Sequence, residues 1–247
     1  MANLYLSEEL GLPAIGDAVA VDGSEARHAV TVNRMTAGET VSVGNGAGVI
    51  ATGTVTAVSS ASFVFIVDAV ETRERTVPSI WLAQALAKGD RDELAVQAAT
   101  ELGVDGVIPW SASRSISRWE GAKVAKGEER WRAIVREAAK QSARAWIPEV
   151  GPLTTTKQLS ALAADAAVVV LDPLSQFALT SMRTGAAEHD TRDIVLVVGP
   201  EGGIAPNELE LLYAAGATGA KLGESILRTS TAGPAAIAVL SAKLGRW

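Results

Sequence analysis

The strongest constraint on the fold is a short apolar run that ends in a glycine-rich turn. Five aliphatic residues, Ile194–Val198, lead directly into the segment Gly-Pro-Glu-Gly-Gly at residues 199–203. A run of this kind is typical of a buried strand in a parallel sheet, and such sheets bind ligands beyond the carboxyl ends of their strands. The segment therefore predicts either a ligand-binding loop or a plain strand-to-helix turn. This stretch alone leaves both interpretations open.

The turn does not have the pattern of a nucleotide-binding loop. It matches neither the dinucleotide pattern G-x-G-x-x-G nor the phosphate-binding pattern G-x-x-x-x-G-K-[ST]. Glu201 would also repel a phosphate group. A carboxylate among glycines instead suits a ligand that is neutral or cationic, or one whose amines and hydroxyls act as hydrogen-bond donors.

The composition excludes several classes of protein. Cysteine is absent and the chain has only two histidines, so we expect neither disulfides nor a metal site. No apolar run approaches the roughly 20 residues of a membrane helix, and the first residues lack the order of a signal peptide. We therefore expect a cytoplasmic protein that does not associate with a membrane.

The charges are distributed unevenly along the chain. The formal net charge is −6; residues 1–72 hold 8 acids and 2 bases, which leaves 20 of each in residues 73–247. Residues 114–144 carry nine bases and four acids, a local excess of five positive charges. This basic stripe could follow a phosphate backbone, or it could be a solvated helix face with i,i+4 ion pairs.

The N-terminal part of the chain has the pattern of a small all-β domain. Residues 40–43, 49–58 and 63–70 are short runs rich in Val, Thr, Ile and Phe. A short helix is expected at residues 24–30, with Ser24 as its candidate N-cap. The charged segment that follows ends at Pro78, so we place the domain boundary there and expect a β-barrel module at residues 1–72.

Beyond this boundary, predicted strands alternate with predicted helices. This order indicates an α/β domain at residues 73–247, with a mostly parallel sheet covered by helices on both faces. The strands are expected at residues 80–86, 106–109, 167–171, 194–198 and 221–222, and the helices at residues 90–102, 128–141, 155–164, 206–215 and 230–243.

Several short motifs resemble one known family in the same order along the chain. They are Lys-Gly-Asp-Arg at residues 88–91, Glu-Leu-Gly-Val at 101–104, Ser-Arg-Ser at 113–115, the turn at 199–203 and Ile-Leu-Arg-Thr at 226–229. In the first domain, His28, Arg34 and Gly38 follow a related pattern, although Asn33 stands where the family usually has leucine. Together these motifs resemble the RsmE family of ribosomal RNA uridine-N3 methyltransferases, which belongs to the SPOUT superfamily.

The resemblance covers nearly the whole chain and implies its architecture. Residues 1–72 would form a PUA-like β-barrel that binds RNA, and residues 73–247 a SPOUT methyltransferase domain that ends in a trefoil knot. It also implies the cofactor S-adenosylmethionine, a homodimer packed near the cofactor site, and 16S ribosomal RNA of the small ribosomal subunit as partner.

The resemblance further assigns the cofactor to three loops. One follows Leu171, one is the glycine-rich turn, and one precedes the last helix. The implied cofactor-binding residues are Leu171, Gly199, Pro200, Glu201, Gly202, Gly203, Leu222, Gly223, Ile226, Leu227 and Thr229. The cofactor carries a sulfonium and no phosphate, which agrees with the chemistry expected of a turn that contains a carboxylate.

Two residues are candidates for the catalytic groups. Methyl transfer is an in-line displacement that mainly requires alignment, and a cation near the base would favour a uridine anion. Arg228 could supply this cation, or it could be a structural arginine that binds backbone carbonyls. Glu201 could accept a proton or orient the cofactor, and its place in the binding turn favours orientation.

The candidate RNA-binding residues are five bases and one amide, of which one base is expected on the barrel and the rest on the catalytic domain. Phosphate contacts would position the RNA, while the target base would have to be unstacked to reach the methyl group. These residues are Arg34, Arg114, Arg118, Lys140, Gln141 and Arg144. A SPOUT enzyme with another RNA target, such as a transfer RNA, and a non-catalytic RNA-binding protein remain alternatives.

Overall fold

The computed structural model describes residues 4–182 and 191–247 and divides into two compact units. The first contains the chain up to Arg75 together with Ala139–Ile147, and the second contains Thr76–Ala138 and Pro148–Trp247. A segment from the middle of the chain thus belongs to the first unit, whereas the sequence predicts a single boundary after residue 72.

The first unit is built on a five-stranded sheet. The elements of this unit are β1 (Leu4–Leu6), β2 (Ala18–Asp22), α1 (Gly23–Thr31), β3 (Thr40–Gly44), β4 (Val49–Val58) and β5 (Ser62–Thr72). The strands follow the order β1-β3-β4-β5-β2, in which β1 and β3 are parallel and the other pairs antiparallel. The three predicted strands are confirmed as β3, β4 and β5.

Alternation of side chains along these strands builds the core of the first unit. Phe63, Phe65 and Val67 of β5 are buried, as the two-residue period of a strand requires when one face is covered. Asn33 supports this core, since its Nδ2 donates a hydrogen bond to the hydroxyl of buried Tyr5 across 2.8 Å.

The second unit contains a six-stranded sheet in which every pair is parallel. The elements of this unit are β6 (Ile80–Ala85), α2 (Arg91–Glu101), β7 (Gly106–Trp110), α3 (Ala122–Gln141), β8 (Glu149–Val150), α4 (Thr156–Ala161), β9 (Ala167–Leu171), β10 (Ile194–Val198), α5 (Pro206–Ala214), β11 (Thr218–Ala220) and α6 (Thr229–Lys243). The strand order is β11-β9-β10-β6-β7-β8, which confirms the predicted α/β class. The last three residues of α3 belong to the first unit.

Helices cover both faces of this sheet. On one face, alternate residues of β9 and β10 form a core with Leu159 of α4 and Leu212 of α5. On the other face α6 lies close to the strands, because a Cβ at Gly233 would be 2.8 Å from Cδ1 of Leu82. Glycine at this position lets the helix pack against β6 and β10.

Of the local predictions that differ from the structure, three have a clear physical reason. The short strand expected at residues 221–222 is wrong: β11 is Thr218–Ala220, because the register of its pairing with β9 selects those residues. Ser24 is not the N-cap of α1, since Asp22 holds that position. Helix α3 begins at Ala122, six residues before the predicted start, and Gly127 fits inside it because the ring of Trp119 fills the space of the missing Cβ.

In the two described stretches, no helix is both long enough and apolar enough to cross a membrane.

Candidate active site

The carboxyl ends of β9 and β10 open onto a cavity of about 640 Å³ in the second unit. Its walls come from the loop after β9, the glycine-rich turn after β10 and the segment between β11 and α6. Among the described residues, all the predicted cofactor-binding residues except Gly202 line this cavity: Leu171, Gly199, Pro200, Glu201, Gly203, Leu222, Gly223, Ile226, Leu227 and Thr229. The tertiary structure therefore brings together residues from three separate parts of the sequence.

The turn after β10 requires glycine for steric and conformational reasons. A Cβ at Gly199 would lie 2.7 Å from Cγ1 of Ile204, and Gly203 has a φ of +71°. The amide of Gly203 donates to the carbonyl of Pro200 across 2.9 Å, which closes the turn. This tight backbone forms one wall of the cavity.

Glu201 is held firmly in this turn. The guanidinium of Arg91 donates to its Oε1 across 2.9 Å, and the amide of Lys88 donates to the same atom across 3.3 Å. Burial raises the pKa of the Glu201 carboxyl, but hydrogen bonds from its own amide, from Arg91 and from the Lys88 amide outweigh burial and lower the pKa overall. A carboxylate with a lowered pKa is a poor proton acceptor, which favours an orienting role over that of a base.

Arg228 lies at the edge of the cavity as the N-cap residue of α6. Its carbonyl accepts from the amides of Thr231 and Ala232, while its side chain is exposed. In the part of the chain that the structure describes, the guanidinium has no hydrogen bond or ion-pair partner. The alternative in which Arg228 binds backbone carbonyls therefore has no support here, and its catalytic role stays a prediction.

Sequence reasoning missed Gln84, which lies behind the cavity at the end of β6. Its side chain is completely buried, and Nε2 donates to Oγ1 of Thr229 across 2.8 Å. Thr229 in turn donates to the carbonyl of Gly199 across 2.8 Å. No local sequence signal connects Gln84 to a residue 145 positions away.

Sequence reasoning also missed the contacts of Glu208 in α5, which hold the loop after β7. The buried carboxylate of this residue accepts hydrogen bonds from the amide and hydroxyl of Ser113, the hydroxyl of Thr156 and the amide of Ala205. Burial raises the pKa of Glu208, but these four donors lower it overall. The sequence does show that Glu208 is the third residue of α5, a position from which a side chain can cap the start of a helix. It does not show that the same side chain binds the loop after β7.

Two of the predicted RNA-binding residues lie in the loop after β7, and one of them, Arg114, contacts the glycine-rich turn. Arg114 donates to the carbonyl of Gly202 across 3.1 Å, and Arg118 donates to the carbonyl of Ser113 across 3.0 Å. Both side chains are exposed, and both lie in the loop that Glu208 anchors. Their positions leave the guanidinium groups accessible to a bound anion.

The other four predicted RNA-binding residues belong to the first unit, although the sequence predicts Lys140, Gln141 and Arg144 on the catalytic domain. Arg34 and Gln141 are exposed, and Arg144 is half-buried. Lys140 forms an ion pair with Glu25 across 3.1 Å, and each side chain is only 11% exposed. An RNA contact by Lys140 would therefore have to compete with this pair, and its role stays a prediction.

No group of three or more histidine and carboxylate side chains within residues 4–182 and 191–247 could hold a metal ion.

Comparison with known proteins identifies the class of protein. Residues 73–241 match the model of an RNA methyltransferase domain, and residues 21–68 match an RNA methyltransferase PUA domain. The fold and these matches together define an RNA methyltransferase with a PUA domain.

Relatives of known name narrow the class to one family. The ribosomal RNA small subunit methyltransferase E of Mycobacterium bovis is 40% identical over 241 residues, which cover 96% of this chain and 90% of the relative. The protein of that name from Bacillus subtilis is 31% identical, with 90% of this chain and 88% of the relative covered. This chain belongs to the ribosomal RNA small subunit methyltransferase E family, which confirms the resemblance to RsmE.

Solved structures agree with this assignment. The ribosomal RNA small subunit methyltransferase E of Neisseria gonorrhoeae, bound to S-adenosyl methionine, has a TM-score of 0.86 and 27% identity over 99% of this chain and 98% of its own. A putative methyltransferase from Legionella pneumophila, in complex with the cofactor SAM, also has a TM-score of 0.86 and 27% identity, with 98% of each chain covered.

Proposed function

We propose that this chain transfers the methyl group of S-adenosylmethionine to N3 of one uridine in the 16S ribosomal RNA of the small subunit. The observation that carries the proposal is the cavity in which three loops converge, with Arg228 exposed at its edge. Relatives of the same fold were crystallised with this cofactor.

The residues around the cavity fit this cofactor. The volume lies within the range of pockets for ligands of this size. Backbone groups of the glycine-rich turn and of the segment before α6 offer carbonyls and amides to the adenosine and amino acid parts. The Glu201 carboxylate provides negative charge next to a ligand that carries a sulfonium, and no phosphate has to be accommodated.

Positioning and electrostatics would supply the catalysis. When bound, S-adenosylmethionine supplies an electrophilic methyl group on sulfur. The glycine-rich turn and the segment before α6 would hold this methyl group in line with uracil N3, and the N3 proton would be lost to solvent. Arg228 would stabilise the negative charge of the deprotonated uracil, while Arg91 and Glu201 keep the turn in place.

Arg114 and Arg118 would hold the RNA near the cavity. Their exposed guanidinium groups can bind phosphate oxygens, and in the first unit the exposed Arg34 and the half-buried Arg144 would add contacts. Such contacts position the RNA, whereas selection of one uridine requires a base that is unstacked and brought into the cavity. A ribosomal substrate also implies a location in the cytoplasm.

A homodimer and a knotted C-terminal segment complete the proposal. Leu174, Phe177 and Ile226 are large apolar side chains that are 84%, 73% and 80% exposed, and Leu174 and Ile226 line the cavity. Exposed apolar groups of this size favour burial against another protein surface, here a second copy of the chain. The trefoil knot is proposed from the family's fold, in which the last segment passes through a preceding loop.

The proposal is tested with small ribosomal subunits from a strain that lacks the gene. Labelled S-adenosylmethionine and the purified protein are added, and the nucleosides are analysed. We expect 3-methyluridine, with its loss in Arg228→Ala and its retention in Lys157→Ala, which removes an exposed base outside the cavity. Label in another nucleoside, or in transfer RNA only, would show a different target, and cofactor binding without transfer would indicate a non-catalytic protein.

A further inference from the structure

We propose that Gln84 is a positioning residue that fixes the cofactor loops through a hydrogen-bond relay from its amide to Thr229 and on to the carbonyl of Gly199. The inference rests on the proposed assignment of the cavity as the cofactor site. Gln84 does not itself line the cavity among the described residues, so it would act on the ligand only through the two loop residues that do.

The position of Gln84 places it behind the loops. It lies at the carboxyl end of β6, between two neighbouring strands, and pairs in register with Val198, the residue before the glycine-rich turn. Thr229 is the first residue of α6 and ends the segment between β11 and α6, which forms another wall of the cavity. A single side chain from the centre of the sheet therefore reaches the junction of two loops.

The directions of the bonds in the relay are determined by carbonyls at both ends. Nε2 of Gln84 donates to the carbonyl of Ala85 across 3.2 Å, and a carbonyl can only accept, so the amide nitrogen must face this side. Nε2 then donates its other hydrogen to Oγ1 of Thr229. The hydroxyl hydrogen of Thr229 is left for the carbonyl of Gly199, which also can only accept.

The other end of the amide supports this interpretation. Oε1 of Gln84 is buried and has no hydrogen-bond donor within the described residues. A buried unsatisfied oxygen is unfavourable, and an apolar side chain of similar shape would avoid it. The two hydrogen bonds donated by the amide nitrogen therefore explain why a glutamine suits this position, because the amide oxygen has no partner among the described residues.

The relay predicts that reversing one bond would release the Gly199 carbonyl. In Gln84→Glu, an ionised carboxylate can only accept, so the Thr229 hydroxyl would turn towards it and leave Gly199. When the pH falls and the buried carboxyl takes up a proton, it can donate again, and burial raises the pKa of such a group. Gln84→Met removes both bonds at similar volume and has no group that titrates.

The experiment measures the Kd of S-adenosylmethionine by calorimetry at pH 8.0 and pH 5.5, for the full chain without RNA. At pH 8.0 we expect the Kd of Gln84→Glu to be about tenfold higher than that of the wild type. At pH 5.5 this ratio of variant Kd to wild-type Kd should be several-fold smaller. The Kd of Gln84→Met should be higher than that of the wild type at both pH values. Gln97→Glu makes the same chemical change on the exposed face of α2 and should bind as the wild type does.

A second pair of variants tests the relay without the carboxylate. Thr229→Ser keeps the hydroxyl and should bind close to the wild type, whereas Thr229→Val should weaken binding. If the two residues act in one relay, the double variant Gln84→Met with Thr229→Val should have nearly the same Kd as Gln84→Met alone. Thermal unfolding of each variant at both pH values confirms that the protein measured is folded.

Two results would overturn the relay: wild-type affinity in Gln84→Met, or wild-type affinity in Thr229→Val. Failure of the proposed function would look different, because the binding measurement needs no RNA. A wild type that binds the cofactor and shows the expected Gln84 effects, yet forms no 3-methyluridine, would refute the substrate alone. Formation of 3-methyluridine together with wild-type affinity in Gln84→Met would refute the relay alone.

Discussion

The Arg91 guanidinium donates a hydrogen bond to Glu201 across 2.9 Å, although the two residues lie 110 positions apart in the sequence. Arg91 begins α2, and Glu201 lies in the turn after β10. The bond therefore ties the start of a helix to the wall of the proposed cofactor site. The conformation of the turn thus depends on more than its glycines.

Loss of this hydrogen bond should weaken cofactor binding with little effect on the free energy of unfolding. In Arg91→Gln, the pKa of Glu201 should rise because a hydrogen bond and a positive charge are removed. Since Arg91 is partly exposed, we expect only about a threefold increase in the Kd of S-adenosylmethionine, measured by calorimetry. Arg130→Gln breaks a comparable ion pair with Glu93 away from the cavity and serves as the matched control. Equal affinity in both variants would contradict the prediction.

Glu208 should stabilise the second unit in a pH-dependent manner. Glu208→Gln keeps the size of the side chain but mismatches at least one of its four donors, so we expect a loss of about 2 kcal/mol in the free energy of unfolding at pH 7. Because folding lowers the pKa of this carboxyl, its contribution is present above the unfolded value near 4.5 and disappears as the pH falls through the folded value. Urea unfolding at pH 7 and pH 3.5 should show a smaller difference between wild type and variant at the lower pH. A difference that grows at pH 3.5 would contradict the assignment.

Arg228 should act on the chemical step rather than on cofactor binding. Arg228→Ala should lower kcat by about a hundredfold, because a cation near a developing anion stabilises the transition state, while the Kd of the cofactor changes little. Arg228→Lys should recover part of the rate. Single-turnover methyl transfer on small subunits measures the step directly, and Lys157→Ala controls for the loss of a positive charge. An Arg228→Ala variant that loses only cofactor affinity would reassign the residue to binding.

The close approach of Ile204 predicts the effect of a single methyl group in the turn. In Gly199→Ala the new Cβ would lie 2.7 Å from Cγ1 of Ile204, so the turn must shift and the Kd of the cofactor should rise by about tenfold. Adding Ile204→Ala removes the clashing atom and should restore part of the affinity. Gly11→Ala has open space around the new Cβ and serves as the control. Full affinity in Gly199→Ala would show that the turn tolerates the change.

The exposed apolar side chains near the cavity predict self-association. Phe177→Asp should convert a dimer to a monomer in light scattering, because a charge in an apolar interface must be desolvated. Leu12→Asp changes an equally exposed apolar residue of the first unit and should remain dimeric. A wild type that is monomeric at all concentrations tested would refute the proposed homodimer.

The sequence by itself determined the parts of the fold that depend on local patterning. Ile194–Val198 and Ala167–Leu171 were predicted with the bounds that the structure has, because a short aliphatic run bounded by other residue types has few alternatives to a buried strand. The glycines of the turn likewise indicated a loop at the carboxyl end of a parallel strand, where ligands bind.

Only the tertiary structure decided the contacts that shape the site. The pairing register with β9 placed β11 at Thr218–Ala220, and packing of Trp119 allowed Gly127 inside α3. Gln84 bonds to Thr229 across 145 residues of sequence and Glu208 to Ser113 across 95, and Lys140 forms an ion pair with Glu25. Hydrophobic periodicity is a local property of the chain, whereas the partner of a buried polar group is set by which distant segments the fold brings within hydrogen-bond distance. The patterns of the chain could therefore predict the strands and the loop, but not the bonds that hold the loop in place.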